Sequence, residues 1–487
     1  MPQGADRPNI VCIYADQMTF RACAPYGNTV VRTPAMDRLA RQGTVFENFY
    51  ANSALCGPCR FATYTGLMPF AHPHWAQPNC LGVADLPYMG HLLGEAGYHT
   101  ASIGKLHGMP EDFTFGFEHC RQNWGLGAPF EFNHYGRWVD RKLAQRPHGR
   151  ALREEFDRPH CSGGGGHLAD EDYYYVPQEL SEETWLVEQT RRFLDDVPQD
   201  RPFLLNLGIQ HPHHPWETFP APDERYDEAA VDLPPNAETT SAITAAMREH
   251  FAPSAGGRRQ RPSPTERACR KRREIRRYYT SVTQVDKAIG AVLDLLEARG
   301  LLERTAVILT GDHGEMLGEF GRMGKTVLYE GSTHLPLIVR GPGIPAGQRR
   351  RQLGEQIDLI PTLLDLAGAD KPDRLPGISL LNAARHETAP TKPTVHAWLE
   401  FKGTLHAMAR GENLKLCRLT GISRLADIPE ILEMYDVTND PWEMHDLGAE
   451  ASGEEADMLR ADFAEYFWKH AGMMGCSPQT RRGLSKR

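Results

Sequence analysis

Short apolar runs, each stopping on a polar and metal-competent residue, constrain this chain more than any other feature. Residues 8–14, PNIVCIY, are apolar and β-branched and lead to Asp16, the pattern of a buried parallel strand carrying a functional residue at its carboxyl end. RPFLLNLGIQHPHHP repeats the pattern and delivers His211, His213 and His214, and TAVILTGDHGE delivers Asp312 and His313. Helical patterns lie between these runs. TPAMDRLARQG predicts a short amphipathic helix with Thr33 as cap and Gly43 as stop. TVFENFYAN reads as a second strand, and MGHLLGEAGYHTASIGKLHG as a helix, a Gly97 cap and a strand with Lys105 and His107 just beyond it. From Arg273 to Arg299, apolar residues recur every three or four positions, which predicts a long amphipathic helix. Alternating strands and helices imply an α/β fold, and open α/β sheets bind ligands at their carboxyl edge.

The second strand leads directly to CGPCRFATYTG at residues 56–66. Pro58 suits a first helical turn, where its missing N–H costs nothing, and Gly66 followed by Pro69 supplies a stop. Cys56 then sits at a helix N-terminus, where backbone N–H groups favour a tetrahedral oxyanion, and Arg60 adds a cation. Such a site handles an anion beside a nucleophile. The competing reading is a Cys-x-x-Cys redox or zinc pair formed by Cys56 and Cys59. A zinc site calls for a second pair at similar spacing, and the remaining cysteines provide none.

A chain of 487 residues has room for two or three average domains. Its net charge of −9 argues against a nucleic-acid partner, so the basic stretch at 254–277 reads as a solvated loop merging into a helix. Ten scattered cysteines fit reduced thiols better than a disulfide framework. No run reaches the ~18 apolar residues of a membrane span, and the first residues show no signal-peptide pattern, so a cytoplasmic location and no membrane partner are expected. Residues 120–180 hold many aromatics and the SGGGG run at 162–166, suiting either a substrate wall or a satellite hydrophobic cluster. Beyond residue 380, TVHAWLEFKG, NLKLCRL and EMYDVTNDPWEMHDL predict short antiparallel strands, closed by the helix GEEADMLRADFAEYFWKHAG.

The CGPCRFATYTG stretch and six further segments, in order along nearly the whole chain, resemble the sulfatase family. Cys56, Pro58, Arg60, Thr65 and Gly66 match its C-x-P-S-R and T-G signature, with Cys59 in the place of the usual serine. NIVCIYADQ is similar to its N-terminal metal strand, GYHTASIGKLHG to its G-Y-x-T-x-x-x-G-K-W-H element with Leu106 replacing tryptophan, and HPHHP to its H-x-P-H-x-P. GDHGEMLGEFGRMGK resembles its second metal segment, and LYEGSTHLPLIVRGPG and YDVTNDPWEMHDL its later landmarks.

The resemblance implies an alkaline-phosphatase-like α/β fold: a large central mixed, mostly parallel sheet flanked by helices over residues 1–380, with a smaller C-terminal α+β subdomain over 381–487. It implies a sulfatase acting on a small-molecule or carbohydrate sulfate ester, or alternatively a phosphonate monoester or phosphodiester hydrolase of the same superfamily. Cys56 would be oxidised to formylglycine by a formylglycine-generating or radical sulfatase-maturing enzyme. A divalent metal, calcium or alternatively manganese, would be held by Asp16, Gln17, Asp312 and His313 together with the residue at 56. Arg60 would hold the nucleophile, Lys105 and Lys325 the sulfuryl oxygens, His211 would protonate the leaving alcohol, and His107 would take a proton from the second hydroxyl.

Overall fold

The computed structural model describes residues 7–71, 80–83, 85–125, 128, 131–156, 176–216, 218–251, 263–390, 392–421, 428 and 430–471. The apolar runs form the middle of an eight-stranded sheet. In chain order its strands are β1 (Asn9–Asp16), β2 (Thr44–Tyr50), β3 (His99–Gly104), β4 (His119–Gln122), β5 (Phe203–Pro212), β6 (Thr305–Gly311), β7 (His334–Arg340) and β8 (Gln348–Glu355). In space they run β8-β2-β7-β6-β1-β5-β3-β4. Only β7 is antiparallel to its neighbours β2 and β6; every other pairing in the sheet is parallel.

Strand β1 lies between β5 and β6 and is buried along its whole length. Successive side chains of a strand point to opposite faces, and here the two faces join different cores. Val11, Ile13 and Ala15 pack with helices α1 (Pro34–Gln42), α3 (His134–Ala144), α4 (Glu182–Asp196) and α5 (Pro264–Ala298). Ile10, Cys12 and Tyr14 pack with α2 (Cys56–Thr65) and α6 (Leu359–Leu366). Burial on both sides explains why the run is apolar without alternation, and each such Ile or Val contributes about 1.5–3 kcal/mol.

Local signals account for most boundaries. Gly66 ends α2 in the left-handed conformation at φ 67°, its N–H bonded to the Ala62 carbonyl. Thr33 precedes α1 but does not cap it: its hydroxyl accepts from the Ala24 N–H, and the Asp286 carboxylate on α5 accepts from the Ala35 and Met36 N–H groups instead. A buried carboxylate with two amides outcompetes a hydroxyl for the helix end. Helix α5 begins at Pro264, nine residues ahead of the periodic apolar pattern at Arg273, because Ser263 and Glu266 form a capping box with Pro264 in the first turn. Residues 264–277 of the basic stretch are therefore helical, and 254–262 lie outside the described residues.

The C-terminal strands form a separate four-stranded antiparallel sheet of β9 (Val395–Phe401), β10 (Thr404–Arg410), β11 (Leu414–Gly421) and β12 (Ile431–Asp436), on which α7 (Glu454–Ala471) packs. Strand β10 is additional to the sequence reading. It follows β9 through Lys402-Gly403, both with positive φ (49° and 83°), the geometry of a tight hairpin turn. This sheet braces the approach to Cys56: the Trp398 N–H donates to the Asn52 carbonyl at 2.9 Å, and Asn52 Nδ2 donates to the His396 carbonyl at 2.9 Å. Of the aromatics at 120–180, Tyr135 and Trp138 join the core around Trp185, whereas Phe130, the SGGGG run and Tyr173 to Tyr175 lie outside the described residues. No described helix is long and apolar enough to cross a membrane.

Candidate active site

Four chain segments meet at the carboxyl edge of the sheet. Asp16 ends β1, Asp312 and His313 follow β6, Lys105 follows β3, and Cys56 opens α2, which β2 leads into. One ligating atom from each of Asp16, Cys56, Asp312 and His313 lies within 4.8 Å of the others, and all four residues are buried. Asp312 Oδ1 accepts from the Gln17 and His313 N–H groups, both at 2.9 Å. Gln17 is held in the left-handed region at φ 64°, and the Tyr278 hydroxyl on α5 secures it by donating to its carbonyl at 2.6 Å.

Arg60 ties these ends together from one turn inside α2. Its Nη2 lies 3.0 Å from Asp16 Oδ2, its Nε 3.1 Å from Asp312 Oδ2, and its Nη1 donates to the Lys105 carbonyl at 2.7 Å. Lys105 Nζ reaches Asp16 Oδ2 at 2.5 Å. Burial works against charge on Asp16, and so does Cys56, but Lys105, His213 and Arg60 outweigh them and hold its carboxyl well below the usual carboxylate range. Lys105 is brought this close by two glycines. Its N–H bonds the Gly208 carbonyl at 2.6 Å; Gly104 has φ 103°, and a Cβ there would lie 2.0 Å from that carbonyl oxygen.

The Cys56 sulfur is the focus of the cluster. Lys325 Nζ lies 3.2 Å from it, His313 Nε2 3.0 Å and Asp16 Oδ1 3.9 Å. Burial alone would raise the thiol's pKa, but Lys325, His313, Lys105 and a hydrogen bond from His107 bring it well below the ordinary value. Lys325 also donates to Gln17 Oε1 at 2.7 Å, while Gln17 Nε2 and the Gly324 N–H both donate to Glu315. His313 Nδ1 meets the Gly314 carbonyl at 3.0 Å. A carbonyl only accepts, so Nδ1 carries a proton and Nε2 faces the carboxylates. His107, at φ 65°, has a buried Nδ1 with no hydrogen-bond partner among the described residues; burial and Lys105 lower its pKa.

The histidine cluster divides in a way the sequence does not reveal. His211, the expected leaving-group acid, directs Nδ1 to Glu183 Oε1 at 2.5 Å and Nε2 to the Pro215 carbonyl at 3.1 Å. His213 is the one beside Cys56, whose sulfur works to raise its pKa, and its backbone N–H donates to the Asp16 carbonyl at 3.1 Å. Burial and Lys325 push the His213 ring down to about 3, and His214, stacked on it at 4.4 Å, to about 4. Glu182 stands beside Glu183; burial and that neighbouring charge raise it to about 7. Glu183, Glu315 and Tyr278 are supporting residues absent from the sequence reading, because an isolated Glu or Tyr on a helix or loop carries no signal of its own. Among the described residues Cys59 is not part of the donor cluster that includes Cys56, and its thiol donates to the Ser53 carbonyl at 3.0 Å.

The family model for Sulfatase matches residues 8–369, and that for N-sulphoglucosamine sulphohydrolase, C-terminal, matches 318–467. The chain belongs to the sulfatase family. Sulfatases are sulfuric ester hydrolases, and the matched span contains every strand of the large sheet and every residue of the cluster around Cys56. The chain is 26% identical to an N-acetylglucosamine-6-O-sulfatase of Bacteroides thetaiotaomicron, covering 91% of this chain and 83% of the relative. It is 28% identical to an arylsulfatase K of Danio rerio, covering 95% and 84%. In fold it resembles a protein solved in complex with D-glucosamine-2-N,6-O-disulfate (TM-score 0.73, 22% identity, 96% of this chain and 98% of that one). It also resembles the phosphonate monoester hydrolase of Agrobacterium radiobacter (TM-score 0.74, 23% identity, 96% of each chain).

Proposed function

We propose that this sulfatase hydrolyses a sulfate monoester of a sugar or aryl alcohol, with Cys56 oxidised to formylglycine and a divalent cation beside it. The observation that carries this reading is the convergence of Lys325, His313 and Asp16 on the Cys56 sulfur. That sulfur occupies the position of the hydroxyls of a formylglycine hydrate. One oxygen of the hydrate is the nucleophile that takes the sulfuryl group, and loss of the proton on the second hydroxyl then forms the C=O bond as the first C–O bond breaks and sulfate leaves, a route closed to a thiol or a serine.

Two carboxylates, the Gln17 amide oxygen and an imidazole nitrogen fit a hard divalent cation, calcium or alternatively manganese. When bound, it would lower the pKa of a nucleophilic hydroxyl and polarise the sulfate. Arg60 holds both carboxylates in place. Lys105 and Lys325 offset charge on the sulfuryl oxygens as the S–O bond breaks. We assign the leaving alcohol's proton to His213 rather than His211, since His213 borders Cys56 and the negative charge of a bound sulfate ester raises its low pKa. His107 accepts the proton of the second hydroxyl.

The reading implies a maturing enzyme for Cys56, and the free thiols at Cys12, Cys23, Cys59 and Cys417 support a reducing, cytoplasmic setting. Against a phosphonate ester stands the Gly104, Lys105 and His107 element, which resembles that of the sulfatase family. Rates on 4-nitrophenyl sulfate and 4-nitrophenyl phenylphosphonate, measured on protein co-expressed with a formylglycine-generating enzyme, test the assignment. A higher kcat/KM on the sulfate is expected; a higher value on the phosphonate overturns it.

A further inference from the structure

A second cavity, of about 680 Å3, lies away from the catalytic cluster, within the size range of small-molecule pockets. It opens where the edge strand β4 meets α3 and α4. Its wall includes His99, the first residue of β3, whereas Lys105 directly follows the other end of that strand. At ~3.3 Å per residue, six residues separate the two sites by roughly 20 Å.

The lining is strongly cationic for a chain with net charge −9. Arg121, Arg137, Arg141 and Arg192 face the cavity against one carboxylate, Asp196. Arg192 is paired with Glu188, and Arg121 donates to the Cys120 carbonyl at 3.2 Å. The guanidinium groups of Arg137 and Arg141, one helical turn apart on α3, have no partner among the described residues. Like charges at that spacing repel, and an anion between them removes the repulsion.

Two further polar groups point to a ligand. Gln189 lines the cavity with only 8% of its surface exposed, and its side-chain amide has no hydrogen-bond partner among the described residues. Those amide atoms open onto the cavity, where they can donate to and accept from a ligand. His134 accepts the Gln122 N–H on Nδ1 at 3.1 Å, so its neutral ring carries the proton on Nε2. The buried Trp185 and Phe193 form the apolar back of the pocket.

We infer that this cavity is a second binding site, separate from the catalytic one, for a small organic polyanion: a sugar or similar molecule bearing two or more sulfate or phosphate groups. Guanidinium forks match such tetrahedral oxyanions in pairs, and the Gln189 amide and His134 Nε2–H orient the body that carries them. The site does not depend on the chemistry proposed for Cys56.

The test is calorimetric titration of the full chain carrying Cys56→Ala, so that nothing is turned over, with inorganic pyrophosphate and with D-glucosamine-2-N,6-O-disulfate as probes. At least one probe binds saturably, and the double variant Arg137→Glu/Arg141→Glu weakens that binding by at least about tenfold, the loss of one charge-assisted hydrogen bond. Gln189→Leu weakens it as well, in protein whose melting midpoint is unchanged. With Cys56 intact, Arg137→Glu/Arg141→Glu keeps its kcat/KM on 4-nitrophenyl sulfate. Tighter pyrophosphate binding identifies a phosphorylated ligand, and tighter disulfate binding a sulfated one. Absence of saturable binding by both probes, equal affinity in the charge-reversed protein, or loss of aryl sulfate turnover in it overturns the inference.

Discussion

Replacing Arg60 with Met tests the electrostatic frame of the catalytic cluster. The guanidinium is about 1% exposed and contacts Asp16, Asp312 and the Lys105 carbonyl at once. After Arg60→Met, Asp16 still has Lys105 at 2.5 Å. Asp312 keeps two backbone N–H donors and a His313 ring 3.8 Å away, but no strong cation in direct contact. The penalty is therefore that of one buried ion pair broken by removing one partner, about 3–5 kcal/mol. This corresponds to a loss of about two to three and a half orders of magnitude in the folding equilibrium. Urea unfolding in EDTA, compared with wild type, measures it directly. A divalent cation between Asp16 and Asp312 replaces part of the missing charge, so calcium at a hundredfold excess over its Kd returns about 2.7 kcal/mol, and the variant gains more from it than wild type does. Arg60→Lys falls between the two, because an ammonium group cannot span three partners. An Arg60→Met protein within about 1 kcal/mol of wild type in EDTA would refute the reasoning, since the guanidinium would then be no more than a surface charge.

Three other outcomes follow from the same geometry. Gly104→Ala places a Cβ 2.0 Å from the Gly208 carbonyl oxygen at φ 103° and should cost about 2–4 kcal/mol, read as a lower urea midpoint together with a reduced kcat/KM from a displaced Lys105. His213→Gln should lower kcat by about 10²–10⁴, more with an alkyl sulfate than with 4-nitrophenyl sulfate, whereas His211→Gln should show little dependence on leaving group; the reverse pattern would return the acid to His211. Asp286 has its pKa raised by burial to about 7 while capping α1. Its folded form binds a proton more tightly than the unfolded chain does, so its contribution to stability falls as pH rises between about 4 and 7, by up to about 1.4 kcal/mol per pH unit, and Asp286→Asn should remove that slope from urea titrations across this range.

Much of this arrangement is legible in the sequence, for physical reasons. Strands buried on two faces must be apolar throughout, so β1, β5 and β6 stand out, and their polar ends mark the carboxyl edge where Asp16, Asp312 and His313 meet. The Cys56 helix is legible because Pro58 and Gly66 mark its start and stop. What escapes is whatever depends on distant partners. Thr33 looks like a cap until Asp286, about 250 positions away in the chain, takes its amides. His211 and His213 are indistinguishable as letters; only the irregular end of β5, where the register with β1 shifts between Ala15 and Asp16, sends one ring to Glu183 and sets the other beside Cys56. The first turns of α5 hide behind their basic charge, and the cationic cavity is assembled from four elements spread over residues 99–198, with no motif of its own.

The most direct measurement is mass spectrometry of the peptide containing Cys56, made on the same preparation used for turnover of 4-nitrophenyl sulfate and compared with protein expressed without a maturing enzyme. Activity should rise in proportion to the fraction of peptide carrying the aldehyde in place of the thiol, and Cys56→Ala should be inactive. Full activity in protein whose Cys56 is entirely an unmodified thiol would contradict the account.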